Sequence, residues 1–93
     1  MPEMLFDVRW PDGHGMRCYS PSLIIKEYFE PGRSYPVEEF LRRSREAFRI
    51  ADERVRARFG FGCGHGQRTL QDIEQKALAC PADGLVTVER FEE

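Results

Sequence analysis

Residues 36–59 read PVEEFLRRSREAFRIADERVRARF, and the spacing of their apolar side chains decides most of the fold. Val37, Leu41, Phe48, Ala51, Val55 and Phe59 recur at intervals of four, seven, three, four and four, with Ser44 in the remaining slot. That recurrence lays one apolar stripe along a helix. Glu38 and Glu39 stand in its first turn, where unpaired backbone N–H groups make the helix end positive. Ile50 falls on a flank shared with Phe40 and Ala47, away from the stripe; it either packs under another helix or marks a partner surface. The 24 residues would span about 36 Å as one helix. A compact chain of this length has a radius of gyration near ~12 Å. The segment therefore runs the length of the molecule or breaks into two helices.

Upstream, Met4, Phe6, Val8 and Trp10 alternate with Leu5, Asp7 and Arg9. A period of two predicts a strand with one buried face. Pro11-Asp12-Gly13 follows as a turn, and Gly15 to Tyr19 predicts the returning strand of a hairpin, with Met16 and Cys18 on one face. Ser20-Pro21 reads as the start of a short helix through about Phe29, because serine caps and proline is tolerated at the first helical position. Pro31-Gly32 ends it, and Tyr35-Pro36 opens the long helix.

Downstream, residues 60–66 place four glycines in seven positions and read as a loop. Thr69 with Asp72 three residues on resembles a capping box. Leu70, Ile73 and Ala77 predict a last helix to about Ala79, and Leu85 to Phe91 a last strand. The expected fold is therefore α+β: a three-stranded β-sheet in the order β-β-α-α-α-β with helices packed on one face, in a single domain spanning residues 1–93.

The balance of 14 basic against 16 acidic residues gives a net charge of −2, so no global field draws the chain to nucleic acid or an anionic membrane. The longest apolar run is three residues, Leu23-Ile24-Ile25, far short of a bilayer span, and the N-terminus lacks the pattern of a signal peptide. Three cysteines without a secretion signal predict reduced thiols in the cytoplasm.

Candidate chemistry centres on the glycine-rich stretch. Cys63 and His65 stand two apart, and a thiolate–imidazolium pair is one way to activate a nucleophile. The stretch leads toward a helix N-terminus, where amides can hold an anion, but it matches neither a Walker A loop nor a dinucleotide-binding fingerprint. Candidate ligand contacts are Cys18, Tyr19, Cys63 and Arg68. No standard zinc spacing links Cys18, Cys63, Cys80, His14 and His65, so no metal is expected, and the residues name no cofactor. Cys18 and Cys80 read as inert thiols, which leaves Cys63 as the most reactive of the three. The long helix carries Arg42, Arg45, Arg49 and Arg56 on one face, interleaved with Glu38, Asp52 and Glu53. Pairs such as Arg49–Glu53 and Asp52–Arg56 make this a salt-laced solvent face in preference to a nucleic-acid site.

The strings Val8-Arg9-Trp10-Pro11-Asp12-Gly13, Arg17-Cys18-Tyr19-Ser20-Pro21-Ser22, Tyr35-Pro36, Phe40-Leu41-Arg42-Arg43-Ser44-Arg45 and Glu53-Arg54-Val55-Arg56-Ala57, then Phe61 and Cys63, occur in this order. In this the chain resembles the small bacterial nitrogen-starvation response family. Cys18 and Cys63 fit the family pattern, whereas Gly64-His65-Gly66 departs from it, since small residues usually follow the cysteine there. The resemblance implies a bacterial protein encoded with a nitrilase, a radical-SAM protein, an acetyltransferase-like protein and a flavoprotein, in clusters tied to growth on scarce nitrogen, nitriles included. It implies no catalytic residues. The expectation is a non-catalytic accessory protein that binds a partner enzyme or a small metabolite. The alternatives are a small enzyme or carrier using Cys63 and His65, and a nucleic-acid-binding regulator acting through the arginine face. Oligomeric state is not legible from the residues.

Overall fold

The computed structural model describes residues 3–62 and 64–93. Its elements are β1 (Met4–Arg9), β2 (Gly15–Ser20), α1 (Ile25–Tyr28), β3 (Ser34–Pro36), α2 (Val37–Phe59), α3 (Gly64–Leu78) and β4 (Leu85–Glu92). The class is α+β, as the sequence predicts, but the sheet has four strands, in the order β2-β1-β4-β3, all antiparallel. The additional strand is β3, which pairs Tyr35 with Val86 and Pro36 with Leu85. Three residues are too few to show a period, and Pro36 reads naturally as a helix opener. It does open α2, as the residue just before Val37, while its missing N–H costs nothing at the end of an edge strand.

The hairpin forms as expected. Gly13 takes φ +88°, which only glycine adopts without strain, and the Asp12 carboxylate accepts a bond from the His14 N–H at 3.0 Å. Lys76 of α3 donates to the same carboxylate at 2.6 Å, pinning the turn to the helix layer and holding Asp12 below the ordinary carboxylate range. Register shifts at Asp7/Val8 where β1 meets β4, so Glu89 is the extra residue of a bulge.

Alternation along β1 buries Met4, Phe6 and Val8 against the helices. The opposite sheet face is a ladder of charges: Asp7 with Arg17 and Arg90, Arg17 with Glu92, Arg9 with Glu89. Beneath the helices the core is aromatic. Phe29 lies 5.0 Å from Phe40 and 6.3 Å from Phe6 between ring centres, and Trp10 meets Phe40 edge-on at 5.5 Å.

Four local expectations are corrected. α1 is a single turn that starts at Ile25, because the Ser20 hydroxyl bonds locally to the Ser22 carbonyl at 2.8 Å and does not cap a helix. α2 is one unbroken helix whose buried stripe includes Phe40 and Ala47, while Phe59 is 53% exposed. α3 begins at Gly64, so most of the predicted loop's second half is helical. Thr69 is consequently mid-helix and caps nothing; its hydroxyl accepts the Tyr19 backbone N–H at 3.4 Å, and this tertiary packing overrides glycine's weak propensity.

The contrast between Phe40 and Phe59 is measurable. Phe40→Ala should lose about 3–5 kcal/mol of unfolding free energy, as for a fully buried aromatic ring. Phe59→Ala should change it by less than about 1 kcal/mol, as for a surface position. Urea denaturation of the two variants checks both figures.

Candidate functional site

Strand β2 delivers Cys18 and Tyr19 to opposite faces of the sheet, as neighbouring strand residues must be. Cys18 is fully buried. Burial, reinforced by the Asp7 and Asp72 carboxylates, pushes its thiol up to about 12, so it is a packed apolar group and not a nucleophile. As a ligand contact it is unreachable from solvent in the folded chain.

Tyr19 is placed for contact with solvent and with α3. Its ring stacks on the His65 imidazole with centres 4.1 Å apart and planes within 3°. Its hydroxyl donates to the Glu3 carboxylate at 2.7 Å. The Tyr19–Glu3 pair forms a ridge between two hollows. On one side a trough of about 370 Å³ runs over Pro21, Val55, Phe59 and Phe61. On the other a more polar hollow of about 430 Å³ holds His65, Leu5, Glu92 and Glu93. His65 thus joins Tyr19, as two of the candidates chosen from sequence. Arg68, a third, is exposed and makes no hydrogen bond or ion pair among the described residues. The expectations placed on Cys63 lie outside the described residues. Cys80 is half-buried, and no group of three histidine, cysteine or acidic side chains among the described residues could hold a metal ion.

The apolar side of this end was missed by sequence reasoning, which assigned Phe59 to the core. Phe59 is 53% and Phe61 68% exposed, and their rings lie 6.5 Å apart. Gly60 between them ends α2 in the left-handed conformation at φ +84°, and its N–H returns to the Arg56 carbonyl. The Arg58 guanidinium lies 5.8 Å from the Phe59 ring centre. The sequence signal that could have revealed this was the glycine after Phe59: a stripe residue in the last turn before a helix stop has no following turn to cover it.

The arginine face of α2 is neutralised as expected. Arg42 pairs with Glu39, Arg45 with Glu74, Arg49 with Glu53 and Arg56 with Asp52. No helix of the described residues is long and apolar enough to cross a membrane.

A family model described as nitrogen starvation-induced protein NitG matches residues 5–91. The chain belongs to that family. The match runs from β1 to β4, so the hairpin, the long helix and the Tyr19–His65 contact all lie within the NitG-family region. No curated protein and no solved structure matches the chain.

The buried thiol supplies a prediction. In native protein at pH 8, iodoacetamide should leave Cys18 unlabelled while Cys80 reacts, and Cys18 should label only on unfolding; peptide mass reads both. The raised thiol also sets a sign. The folded state keeps the Cys18 proton that the unfolded chain, titrating near 9.0, gives up. This contribution to stability is therefore complete below pH 9.0 and is lost as pH rises toward about 12. Cys18→Ala should flatten that alkaline decline in the melting temperature.

Proposed function

We propose that the chain is a non-catalytic accessory protein of the bacterial nitrogen-starvation response, and that it docks a partner enzyme with the aromatic end of α2. The observation that carries this reading is the exposed Phe59–Phe61 pair beside the apolar trough. Large aromatic side chains held in water lose the stability that burial would bring, and aromatic residues, phenylalanine included, are enriched at protein interfaces. Their position is set by a helix stop at Gly60. A partner would therefore meet a pre-ordered surface and lose little side-chain entropy on binding. The family resemblance supplies the kind of partner: an enzyme of a nitrogen-scavenging gene cluster, with the nitrilase and the flavoprotein as first candidates.

The neutralised arginine face supports this reading over nucleic-acid binding, because paired arginines release few counterions from a phosphate backbone. The stacked His65 ring supports it over Cys63 catalysis, because an imidazole packed flat on a tyrosine has to leave that stack to serve as a mobile base.

Tagged protein recovered from nitrogen-starved cells should bring one cluster-encoded enzyme with it in stoichiometric amount. The double variant Phe59→Ser/Phe61→Ser should lose that enzyme while keeping its circular dichroism and melting temperature. Leu78→Ser, which alters an apolar residue 87% exposed at the other end of α3, should keep it. Equal recovery by all three proteins would remove the aromatic end from the interface.

A further inference from the structure

A second concave surface lies between α2 and α3, and its chemistry differs from that of the aromatic end. Its floor is apolar, made by Pro21, Phe48, Gly66 and Leu70, and it encloses about 190 Å³. An apolar cavity of about 150 Å³ is already large enough to take benzene. The cleft is thus sized for one ring or one branched alkyl chain, and it is too small for a nucleotide.

Its rim carries Arg45 and Arg49, one helical turn apart on α2. Each guanidinium is only partly engaged. Arg45 commits Nε to Glu74 at 2.9 Å, and Arg49 commits Nη1 to Glu53 at 2.8 Å. Neither makes a further hydrogen bond among the described residues, so each keeps several N–H donors for another acceptor. The acidic group on the rim, Asp52, is tied to Arg56 at 2.7 Å through Oδ2, while its Oδ1 is buried without a hydrogen-bond partner among the described residues and so does not face the cleft's solvent. Gly66 and Gln67 lie in the first turn of α3, whose N-terminal polarity is positive. Apolar floor, donor-rich rim and positive helix end select the same class of molecule.

We propose that this cleft binds a small monocarboxylate, with its apolar body on Phe48 and Leu70 and its carboxylate between Arg45 and Arg49. The guanidinium fork matches a carboxylate in two parallel hydrogen bonds, and a neutral amide of the same shape forfeits the charge-assisted part of that interaction. The proposal does not depend on the aromatic end as a docking surface, since the two sites share only Pro21.

The probes are benzoate, isovalerate and the neutral isostere benzamide, titrated into isotopically labelled full-length protein and followed by amide chemical shifts. Benzoate should give saturable shifts confined to α2 and α3 around Phe48 and Leu70. Its Kd should be roughly tenfold below that of benzamide, in line with the greater strength of charge-assisted bonds. Arg45→Gln/Arg49→Gln alters only exposed side chains and should erase that gap while leaving the weak benzamide binding in place. Leu70→Trp, which fills the cleft, should abolish both; if that variant does not fold, the double glutamine variant decides alone. Equal affinity for benzoate and benzamide, shifts centred elsewhere, an undiminished gap in the double variant, or no shift at millimolar probe would each overturn the proposal.

Discussion

At 1.5 Å per residue the 23 residues of α2 run to about 34 Å, while six-residue strands such as β1 and β2 extend only about 20 Å. The longest dimension of the molecule is 38 Å, close to the length of this helix alone. α2 therefore cannot be covered by the sheet along its whole length. Its first four turns lie over Phe6, Trp10 and Phe29 and make the aromatic core through Phe40 and Phe48. Its last turn projects past that core. Phe59 sits on the projecting part, which is why a residue in register with the buried stripe is nevertheless in water. The α2–α3 cleft lies farther back along the helix, at Arg45, Phe48, Arg49 and Asp52, where α3 packs beside α2.

Charge is distributed so that neither exposed layer carries a strong field. On the open sheet face Asp7 sits between Arg17 and Arg90, and on the helix face each of four arginines meets a carboxylate. Exposed pairs of this kind contribute little stability individually, typically about 0–1 kcal/mol. Their consequence is selectivity: with the broad faces neutralised, the aromatic pair and the donor-rimmed cleft stand out among the described residues. Arg43 is used differently. It donates to the Tyr28 carbonyl at 2.9 Å and lies over the Tyr35 ring at 5.3 Å, joining α1, α2 and β3 at one point.

What could be read in advance follows from the physics of each signal. Alternation in β1 and the stripe of α2 are periodic over many residues, so the hairpin and the long helix were legible, together with Phe48, Ala51 and Val55 as core. β3 was not, because three residues carry no period and its pairing with Val86 is a long-range fact. The start of α3 was not, because its support comes from contacts such as Tyr19 N–H to Thr69 that composition does not encode. Of the candidate site, Tyr19 and His65 were named as separate residues, yet their stacking requires β2 and α3 to be neighbours, which no local signal states. Phe40 and Ala47 were placed on a flank whose role was left open, and they prove fully buried, because a stripe drawn at one residue per turn is narrower than the face of α2 that is covered.

Two glycines hold the projecting end together, for different reasons. Gly60 is required by its conformation, since φ +84° lets the chain leave α2 at once and carry Phe61 back beside Phe59. Gly62 is favoured by space. A Cβ there would stand 2.6 Å from Asp52 Oδ1, 3.0 Å from an Arg56 nitrogen and 3.1 Å from the Gln67 amide. Its absence lets the backbone lie directly on the Asp52–Arg56 pair and brings Gln67, in the first turn of α3, close to α2. The turn that displays the aromatic pair is thus the turn that sets how near α3 begins to α2. Position 62 borders both surfaces: a side chain there would have to displace the side-chain ends of Asp52, Arg56 and Gln67, and Asp52 and Gln67 line the cleft. The long helix creates the overhang that carries the aromatic pair, and the small residue at Gly62 lets the chain turn back from it toward the cleft farther back along α2.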